Sequence, residues 1–168
     1  MDVILPNDMA SYLESIQVTN GNPQSGNIAM CIAVIAIYAR DFLGRHVGRI
    51  IDDWVSIHIE SMNEYGFWAD DQKKHLQFQN GFHQYEILEY LGVDNPKIEE
   101  AINLIYQIVD HRGQFSPYFG GSGCYDYDAV SIITAQGRSL SQIDKDLLTK
   151  TLRTILSEQN SDGGFSES

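Results

Sequence analysis

The sequence predicts an all-α protein of about seven helices, and three observations support this prediction. Apolar residues recur with helical periodicity along most of the 168 residues, whereas alternating strand patterns are nearly absent. Glycines mark the loops at near-constant intervals. Hydrophobic residues make up 43% of the chain and charged residues 20%, which is typical of a folded protein. The length predicts a single domain spanning 1–168.

In chain order, helices are predicted near 8–18, 27–42, 45–62, 74–91, 96–110, 126–136 and 141–159. The odd-numbered helices are amphipathic, and the even-numbered ones are predicted to be more buried. Two starts carry capping signals: Asn95 stands before a first-turn proline, and Ser141 with Asp144 resembles a capping box. The segment 27–42 is apolar on every side, so we expect it to be buried all round.

Four loops repeat one pattern, in which a glycine follows an amphipathic helix and an aromatic residue usually comes soon after. The glycines are Gly21, Gly66, Gly113 and Gly163, and the intervals between them are 45, 47 and 50 residues. Glycine suits this position because the chain leaves a helix through a left-handed turn that other residues resist. The repetition predicts stacked helical hairpins of about fifty residues.

The last loop, Gln159-Asn-Ser-Asp-Gly163-Gly164-Phe165, adds a glutamine before the glycine, and Gln17 precedes Gly21 in the same way. In these features the sequence resembles the α/α-toroid proteins, which include proton-initiated squalene and terpene cyclases and the β subunits of protein prenyltransferases and carry such QW repeats. The resemblance implies a partial α/α toroid of alternating outer and inner helices. Seven helices make an incomplete ring, which implies either a fragment or a ring completed by another chain, for example a second copy.

The resemblance also implies a catalytic acid at the start of the sixth helix. Proton-initiated cyclases carry an Asp-x-Asp-Asp-Thr-Ala pattern there, and alignment of its Ala with Ala129 places Asp126 at the proton-donating position, with Asp128 close by. A proton donor of this kind has to stay protonated near neutral pH, which requires burial in an apolar cavity. The alternative is that Asp126 or Asp128 caps the helix. If both are helical, they point about 200° apart and cannot face one cavity.

The segment Ser122-Gly-Cys124-Tyr125 is similar to the zinc-binding Asp-Gly-Cys-Tyr segment of prenyltransferase β subunits, but it lacks the Asp. No further ligand at close spacing accompanies Cys124 and Asp126, although zinc needs at least three protein ligands. We therefore expect no metal and no cofactor, and a buried free thiol at Cys124. Its place at an inner-helix start makes Cys124 a candidate substrate contact.

The fourth helix carries a polar and aromatic stripe that includes His75, Gln79 and Phe82, with His83 at its margin. Because histidine titrates near neutral pH, His75 and His83 are candidate catalytic residues near a quenching water, and Gln79 and Phe82 are candidate substrate contacts. The alternative is a partly exposed stripe with hydrogen-bonded histidines. His58 lies near an outer helix end, where a cation would suit the helix dipole.

Aromatic residues are concentrated in and beside the repeated loops. Such rings can line an apolar cavity and stabilise carbocations, which makes Trp68, Tyr125 and Tyr127 candidate substrate-binding residues. The alternative is that the loop aromatics cover helix ends, as we expect of Phe67 and Phe165.

Composition excludes several classes of partner. With 11 Lys and Arg against 23 Asp and Glu, the formal charge is −12, which argues against nucleic acid and anionic membranes. The longest apolar run is too short to span a bilayer. Two cysteines make no disulfide framework and no secretory leader opens the chain, so we expect a cytoplasmic location.

Three functions are compatible with these observations. The first is acid-initiated cyclisation of an apolar isoprenoid, because few basic residues are present to bind a diphosphate. The second is a non-catalytic toroid module that binds a peptide or partner protein. The third is a carbohydrate-active lyase or hydrolase that uses carboxylates, His and Tyr across a cleft. Fold alone does not decide among them.

Overall fold

The structure, a computed structural model, describes residues 9–17, 20, 22–69, 73–118, 123–135 and 137–165. Over this part of the chain it consists of seven α-helices, and β-type pairing is confined to one isolated bridge. The predicted all-α class is therefore confirmed, whereas the toroid arrangement stays a prediction. In chain order the helices are α1 (Met9–Ser15), α2 (Pro23–Asp41), α3 (Gly48–Glu60), α4 (Lys74–Tyr90), α5 (Ile98–Ile108), α6 (Gly123–Ile133) and α7 (Gln142–Ser157).

Capping side chains mark the starts of α2 and α7, and three helices, α2, α3 and α6, begin three or four residues from their predicted starts. Helix α2 begins four residues early because the side chain of Asn22 accepts the N–H of Gln24, and a proline fits the first helical position. Helix α6 begins at Gly123, so the two predicted capping aspartates lie inside the helix instead of at its cap. The capping box of Ser141 and Asp144 is confirmed at the start of α7.

The chain divides into two compact units, Met1–Lys97 (unit 1) and Ile98–Ser168 (unit 2). In unit 1, α2 and α4 cross closely at Gly26, where an added Cβ would lie 2.0 Å from the carbonyl oxygen of Asn80. The Nε2 of Gln84 donates to the carbonyl oxygen of Gly26 at 3.0 Å. Helix α3 is joined to α2 by Trp54, whose Nε1 donates to the carbonyl oxygen of Ala29 at 3.0 Å.

Helix α2 is buried on one side only, which corrects the prediction that 27–42 is buried all round. Its buried side, rich in alanine, contacts α3 and α4. On the opposite side Val34, Ile35, Tyr38 and Phe42 are 48%, 43%, 50% and 71% exposed. Apolar composition indicates that both sides of a helix can be buried, but the packing of neighbouring helices determines which sides are buried. We call these four residues the N-face.

In unit 2, α5, α6 and α7 are tied together by a buried ion pair. The guanidinium of Arg138 contacts Asp144 Oδ2 at 3.0 Å and Glu99 Oε1 at 3.0 Å, and the hydroxyl of Tyr106 donates to Asp144. Burial alone would raise the pKa of the Asp144 carboxyl, but the bonds from Ser141 and Tyr106 and the guanidinium hold that pKa far below its usual value. The network therefore joins the start of α7 to its neighbours through an ionised carboxylate.

The glycine Gly21 of the first repeated loop lies outside the described residues. The other three repeated loops lie within them and share one hydrogen-bond pattern. They are loop 1 (63–68), loop 2 (110–115) and loop 3 (160–165). The first residue, Asn or Asp, donates its backbone N–H to the carbonyl oxygen four residues ahead at 2.8 to 2.9 Å, and its own carbonyl accepts the glycine N–H. The glycines have φ of +78°, +87° and +86°. The predicted repeat is therefore confirmed for these loops.

Candidate functional site

Loop 1 is covered by the helix that follows it. The Nδ2 of Asn80 in α4 donates to the carbonyl oxygen of Trp68 at 2.5 Å, and the indole Nε1 of Trp68 donates to the carbonyl oxygen of His58 at 2.7 Å. Gly81 allows Phe67 and Trp68 to lie directly against α4, since a Cβ there would come within 2.5 Å of the Phe67 ring. Both aromatic side chains are fully buried.

Loop 2 is covered by α6 in the corresponding way. The Oδ1 of Asp126 accepts the backbone N–H of Phe115 at 2.9 Å, and the Phe115 side chain is fully buried. Asp126 thus occupies the place in unit 2 that Asn80 occupies in unit 1. Both side chains satisfy a backbone group of the residue two positions after the loop glycine, and both are nearly inaccessible to solvent.

Loop 3 has the same frame but an exposed aromatic residue. Phe165 is 55% exposed, and a β-bridge to Gln159 holds it beside the end of α7. On α7 itself, Leu152 and Leu156 are 55% and 54% exposed. We call Leu152, Leu156 and Phe165 the C-face. The three loops therefore differ in what covers them and agree in their backbone geometry.

The predicted catalytic acid, Asp126, is buried and has a perturbed pKa. Burial raises the pKa of its carboxyl, the N–H of Phe115 opposes that rise, and the carboxylates of Glu158 and Asp110 add to it. A carboxyl in this setting holds its proton to higher pH than an exposed one. Asp128, two residues further along the helix, is half-buried and points elsewhere, so the two acids do not form a pair.

The two candidate histidines lie on the least buried stripe of α4. Burial lowers the pKa of His75, whose Nδ1 is buried without a hydrogen-bond partner. The Nδ1 of His83 lies 3.2 Å from Glu86 Oε2, and both side chains are half-exposed. These histidines belong to unit 1 and Asp126 to unit 2, so a common site for them remains a prediction.

Of the candidate substrate contacts, two are in the core and the others reach the surface. Trp68 is fully buried and Phe82 is 2% exposed, and their role as substrate contacts stays a prediction. They are buried because a following helix covers the loop and because α4 is embedded in unit 1. Tyr127 is 62% exposed, and Gln79 and Tyr125 are half-buried. The ring of Tyr125 lies edge-on to that of Tyr118 at 6.3 Å.

Two expectations about titratable groups are wrong. Cys124 is exposed, not buried, because α6 starts early and turns its first residues to solvent. His58 is not a cation at a helix end. It is fully buried and stacks on Trp54 with ring centroids 3.6 Å apart, and burial lowers its pKa to about 4 while a bond to the Trp54 carbonyl oxygen opposes the shift.

Sequence reasoning missed the residue that builds each loop. Asn63, Asp110 and Asn160 stand three positions before the three loop glycines, and this spacing was present in the sequence as an Asx-turn signal. The Oδ1 of Asn63 accepts the N–H groups of Tyr65 and Phe67, and Asp110 does the same for the matching residues of loop 2. These residues are structural, and they explain the repeat without a ligand.

The described residues offer little to a small ligand or a metal. A shallow apolar depression between α2 and α3, lined by Ile32, Ala36, Ile51 and Trp54 among others, is too narrow to admit a water molecule. Ligand sites are generally larger and contain placed polar groups. Among the described side chains no group of three or more His, Cys, Asp and Glu is arranged to hold a metal. Among the residues that the structure describes, no helix has the length and apolar character needed to cross a bilayer.

Comparisons of the chain with protein-family models, with curated proteins and with solved structures found no match. The likeness to α/α toroids is therefore carried by the repeated loops alone.

Proposed function

We propose that this chain is a non-catalytic helical-repeat module that binds an α-helical partner through the N-face. The observation that carries the proposal is the exposure of Val34, Ile35 and Tyr38 on α2 and of Phe42 at its C-cap. Val34, Tyr38 and Phe42 follow each other at four-residue spacing, and Ile35 stands beside them, which is the pattern by which one helix packs against another. A contiguous apolar patch of this kind is typical of an interaction surface.

The position of Asp126 also favours binding over catalysis. Its counterpart in unit 1 is Asn80, an amide that has no acidic proton to donate. Asn80 donates to the backbone of the loop residue two places after the glycine, and Asp126 accepts from the backbone of the matching residue, so a buried polar side chain bonds the loop in both units. The repeat therefore accounts for the burial of Asp126. The hydrogen bond that this buried acid accepts from the loop N–H explains its burial without a catalytic role.

A helical peptide with the sequence of α4 (Lys74–Tyr90) tests the proposal, because α4 already packs against the other side of α2 within the chain. We expect the peptide to shift the NMR signals of the N-face in dilute protein. Tyr38→Asp should weaken binding by at least about tenfold, since it places a charge in the apolar contact. Tyr12→Asp, on another exposed tyrosine, should leave binding unchanged. No binding by the wild-type chain, or equal binding by Tyr38→Asp, contradicts the proposal.

Acid-initiated isoprenoid chemistry is the second candidate, and the raised pKa of the buried Asp126 is the observation that favours it. Asp126→Asn is a well-matched test, because the amide oxygen can still accept the N–H of Phe115. Incubation with linear isoprenoids should then give product with the wild-type chain and none with the variant. Equal product from both, or none from either, removes this candidate.

A further inference from the structure

The N-face ends beside a short run of basic residues at positions 45–49, which we call the basic segment. We infer that the helical partner of the N-face carries acidic residues in its first turn and packs antiparallel to α2, with those residues against the basic segment. This inference rests on the proposed function and names the chemistry of its partner. Both surfaces belong to unit 1, so the inference involves no contact between the two units.

The basic segment differs in charge from the rest of the chain. It contains Arg45, His46 and Arg49 and no Asp or Glu, although acidic residues outnumber basic ones by 23 to 11 in the whole sequence. Arg45 and His46 are exposed, and the side chain of Arg49 is 91% exposed. The local charge is therefore positive, whereas the charge of the whole chain is negative.

The end of α2 brings the basic segment next to the N-face. Phe42, the most exposed residue of the N-face, is the C-cap of α2, and Gly44 follows it with a φ of +60°. The backbone N–H of Arg45 then donates to the carbonyl oxygen of Ala39 at 2.9 Å, which folds the chain back over the last turn of the helix. The basic segment therefore begins at the same end of α2 as Phe42.

Nearby carboxylates leave most of this positive charge available to a partner. Asp41 is already paired with Arg40, since its Oδ1 lies 2.6 Å from the Arg40 Nε. Asp53 lies 3.7 Å from the Nε of Arg49, which is a loose pair on an almost fully exposed side chain. Among the described residues, no carboxylate lies within ion-pair distance of Arg45. A partner that brings carboxylates can therefore pair with Arg45 and Arg49.

The stability of α3 does not explain the position of Arg49. This residue stands in the first turn of α3, where a cation opposes the helix dipole and where no acidic residue is present. The N-cap, Val47, also provides no side-chain bond to the N–H groups of that turn. A carboxylate from a partner would relieve the unfavourable charge at this end of α3.

Charge is confined to one end of the N-face, which determines the direction of the partner. Towards the start of α2 the exposed side continues through Cys31 and Asn27, and the helix contains no charged residue before Arg40. Acidic residues are most favourable in the first turn of a helix, where the dipole is positive. A partner with an acidic first turn followed by an apolar stripe matches both surfaces when its first turn lies at the end of α2. That arrangement is antiparallel.

A protein helix fits these observations better than an anionic bilayer does. A bilayer is an extended negative surface and repels a chain with a formal charge of −12 as a whole. A single acidic turn contacts only the basic segment. At about 0.15 M salt, exposed charges more than about 8 Å away are largely screened, so the nearby arginines dominate the interaction.

Three versions of the α4 peptide test the inference by fluorescence anisotropy with the whole chain at about 0.15 M salt. One carries three glutamates before Lys74, one carries three lysines there, and one carries three glutamates after Tyr90. The first should bind at least about fivefold more tightly than the other two, because several exposed ion pairs act together although each contributes little. This advantage should shrink at about 0.5 M salt, whereas the apolar contact persists.

Reversal of charge on the protein identifies the residues responsible. Arg45→Glu together with Arg49→Glu should remove the preference for the first peptide and make the lysine peptide the tighter ligand. Lys145→Glu together with Arg153→Glu is the matched control, because it gives the same net charge through two exposed residues of α7 and should keep the preference. All four residues are exposed, and unchanged circular dichroism will show that both variants are folded.

The outcomes separate this inference from the proposed function. If none of the peptides binds, the proposed function fails and the inference fails with it. Equal binding of the three peptides, tighter binding of either of the other two, or a preference that survives the reversal of Arg45 and Arg49 overturns the inference alone. Binding to vesicles of phosphatidylserine and phosphatidylcholine, without a preference among the peptides, would make an anionic bilayer the occupant and also overturn it.

Discussion

Loops 1 and 3 have the same backbone and opposite surroundings. In both, an asparagine bonds through its main chain to the residue four positions ahead, and a glycine with positive φ closes the turn. Loop 1 is buried beneath α4, whereas the aromatic of loop 3 is half-exposed. Local chemistry therefore fixes the shape of the loop, and a separate helix decides whether the loop becomes part of a core.

The largest expected difference between these loops concerns their aromatic residues. Trp68→Ala should lower the free energy of unfolding by about 3 to 5 kcal/mol, because a fully buried side chain leaves a cavity. Phe165→Ala should cost less than about 1 kcal/mol in dilute protein, since its ring is half-exposed. Urea unfolding followed by circular dichroism measures both. Similar losses for the two variants would mean that loop 3 is covered after all.

Acid should weaken unit 1 through His58. The unfolded chain binds a proton at this residue as the pH falls through about 6.5, whereas in the folded state burial delays protonation to about pH 4. Stability is therefore lost across this window, by about 3 kcal/mol in total. Both tryptophans lie in unit 1, so tryptophan fluorescence in urea reports on this unit. His58→Gln should flatten the profile, and a wild-type profile that is already flat would contradict the assignment.

Unit 2 should respond differently over the same range. Its Asp126 has a raised pKa in the folded state, so the folded form takes up a proton before the unfolded form does, and acidification stabilises it. Its Asp144 has a lowered pKa, so the stability it contributes is lost only as the pH falls below the usual aspartate range near 3.8. Between pH 6.5 and 4, unit 2 should therefore lose less stability than unit 1.

A smaller difference is expected at the first residue of each loop. The side chain of Asn63 accepts two backbone N–H groups and donates to Ala69 and Gln77, so Asn63→Ala should cost about 1 to 3 kcal/mol. In loop 3 the side chain of Asp162 accepts the N–H of Gly164, and Asn160 is exposed, so Asn160→Ala should cost less than about 0.5 kcal/mol. Equal losses in urea unfolding would show that loop 3 also depends on its asparagine.

The smallest difference is expected at the loop glycines. Both Gly113→Ala and Gly163→Ala place a side chain at positive φ, which costs about 1 kcal/mol. A Cβ at Gly113 would also lie 3.1 Å from the backbone nitrogen of Thr151, whereas the nearest atom to a Cβ at Gly163 is 4.0 Å away. Gly113→Ala should therefore cost about 1 kcal/mol more. A reversed order would show that the close approach of Thr151 to Gly113 does not set the difference.

Features encoded by a few neighbouring residues could be predicted from the sequence. The capping box at Ser141, the left-handed glycines and the count of helices depend on local chemistry, and the structure confirms them. The predicted start of α6 was wrong, since the helix begins at Gly123, three residues before Asp126. Its early start moved Asp126 from a helix cap to a buried position in the first turn.

Burial could not be predicted, because it depends on which parts of the chain pack against each helix. The uniform apolar character of α2 suggested a helix covered on all sides, yet its neighbours cover one side. In the same way, the sequence did not reveal that α4 covers Trp68 or that His58 stacks on Trp54 in the core. The role of Asp126 became clear only by comparison with Asn80, because the hydrogen bonds of these two side chains to their loops show that the positions correspond.

Backbone hydrogen exchange in the three loops tests most directly whether a covering helix, and not the hydrogen bonds of the loop itself, protects it. The N–H groups of Asn63 and Asp110 lie in covered loops and should exchange slowly. The N–H of Asn160 makes the same hydrogen bond in loop 3 but should exchange faster, because the aromatic residue of that loop is 55% exposed. Equal protection of Asn160 and Asn63 would contradict this account.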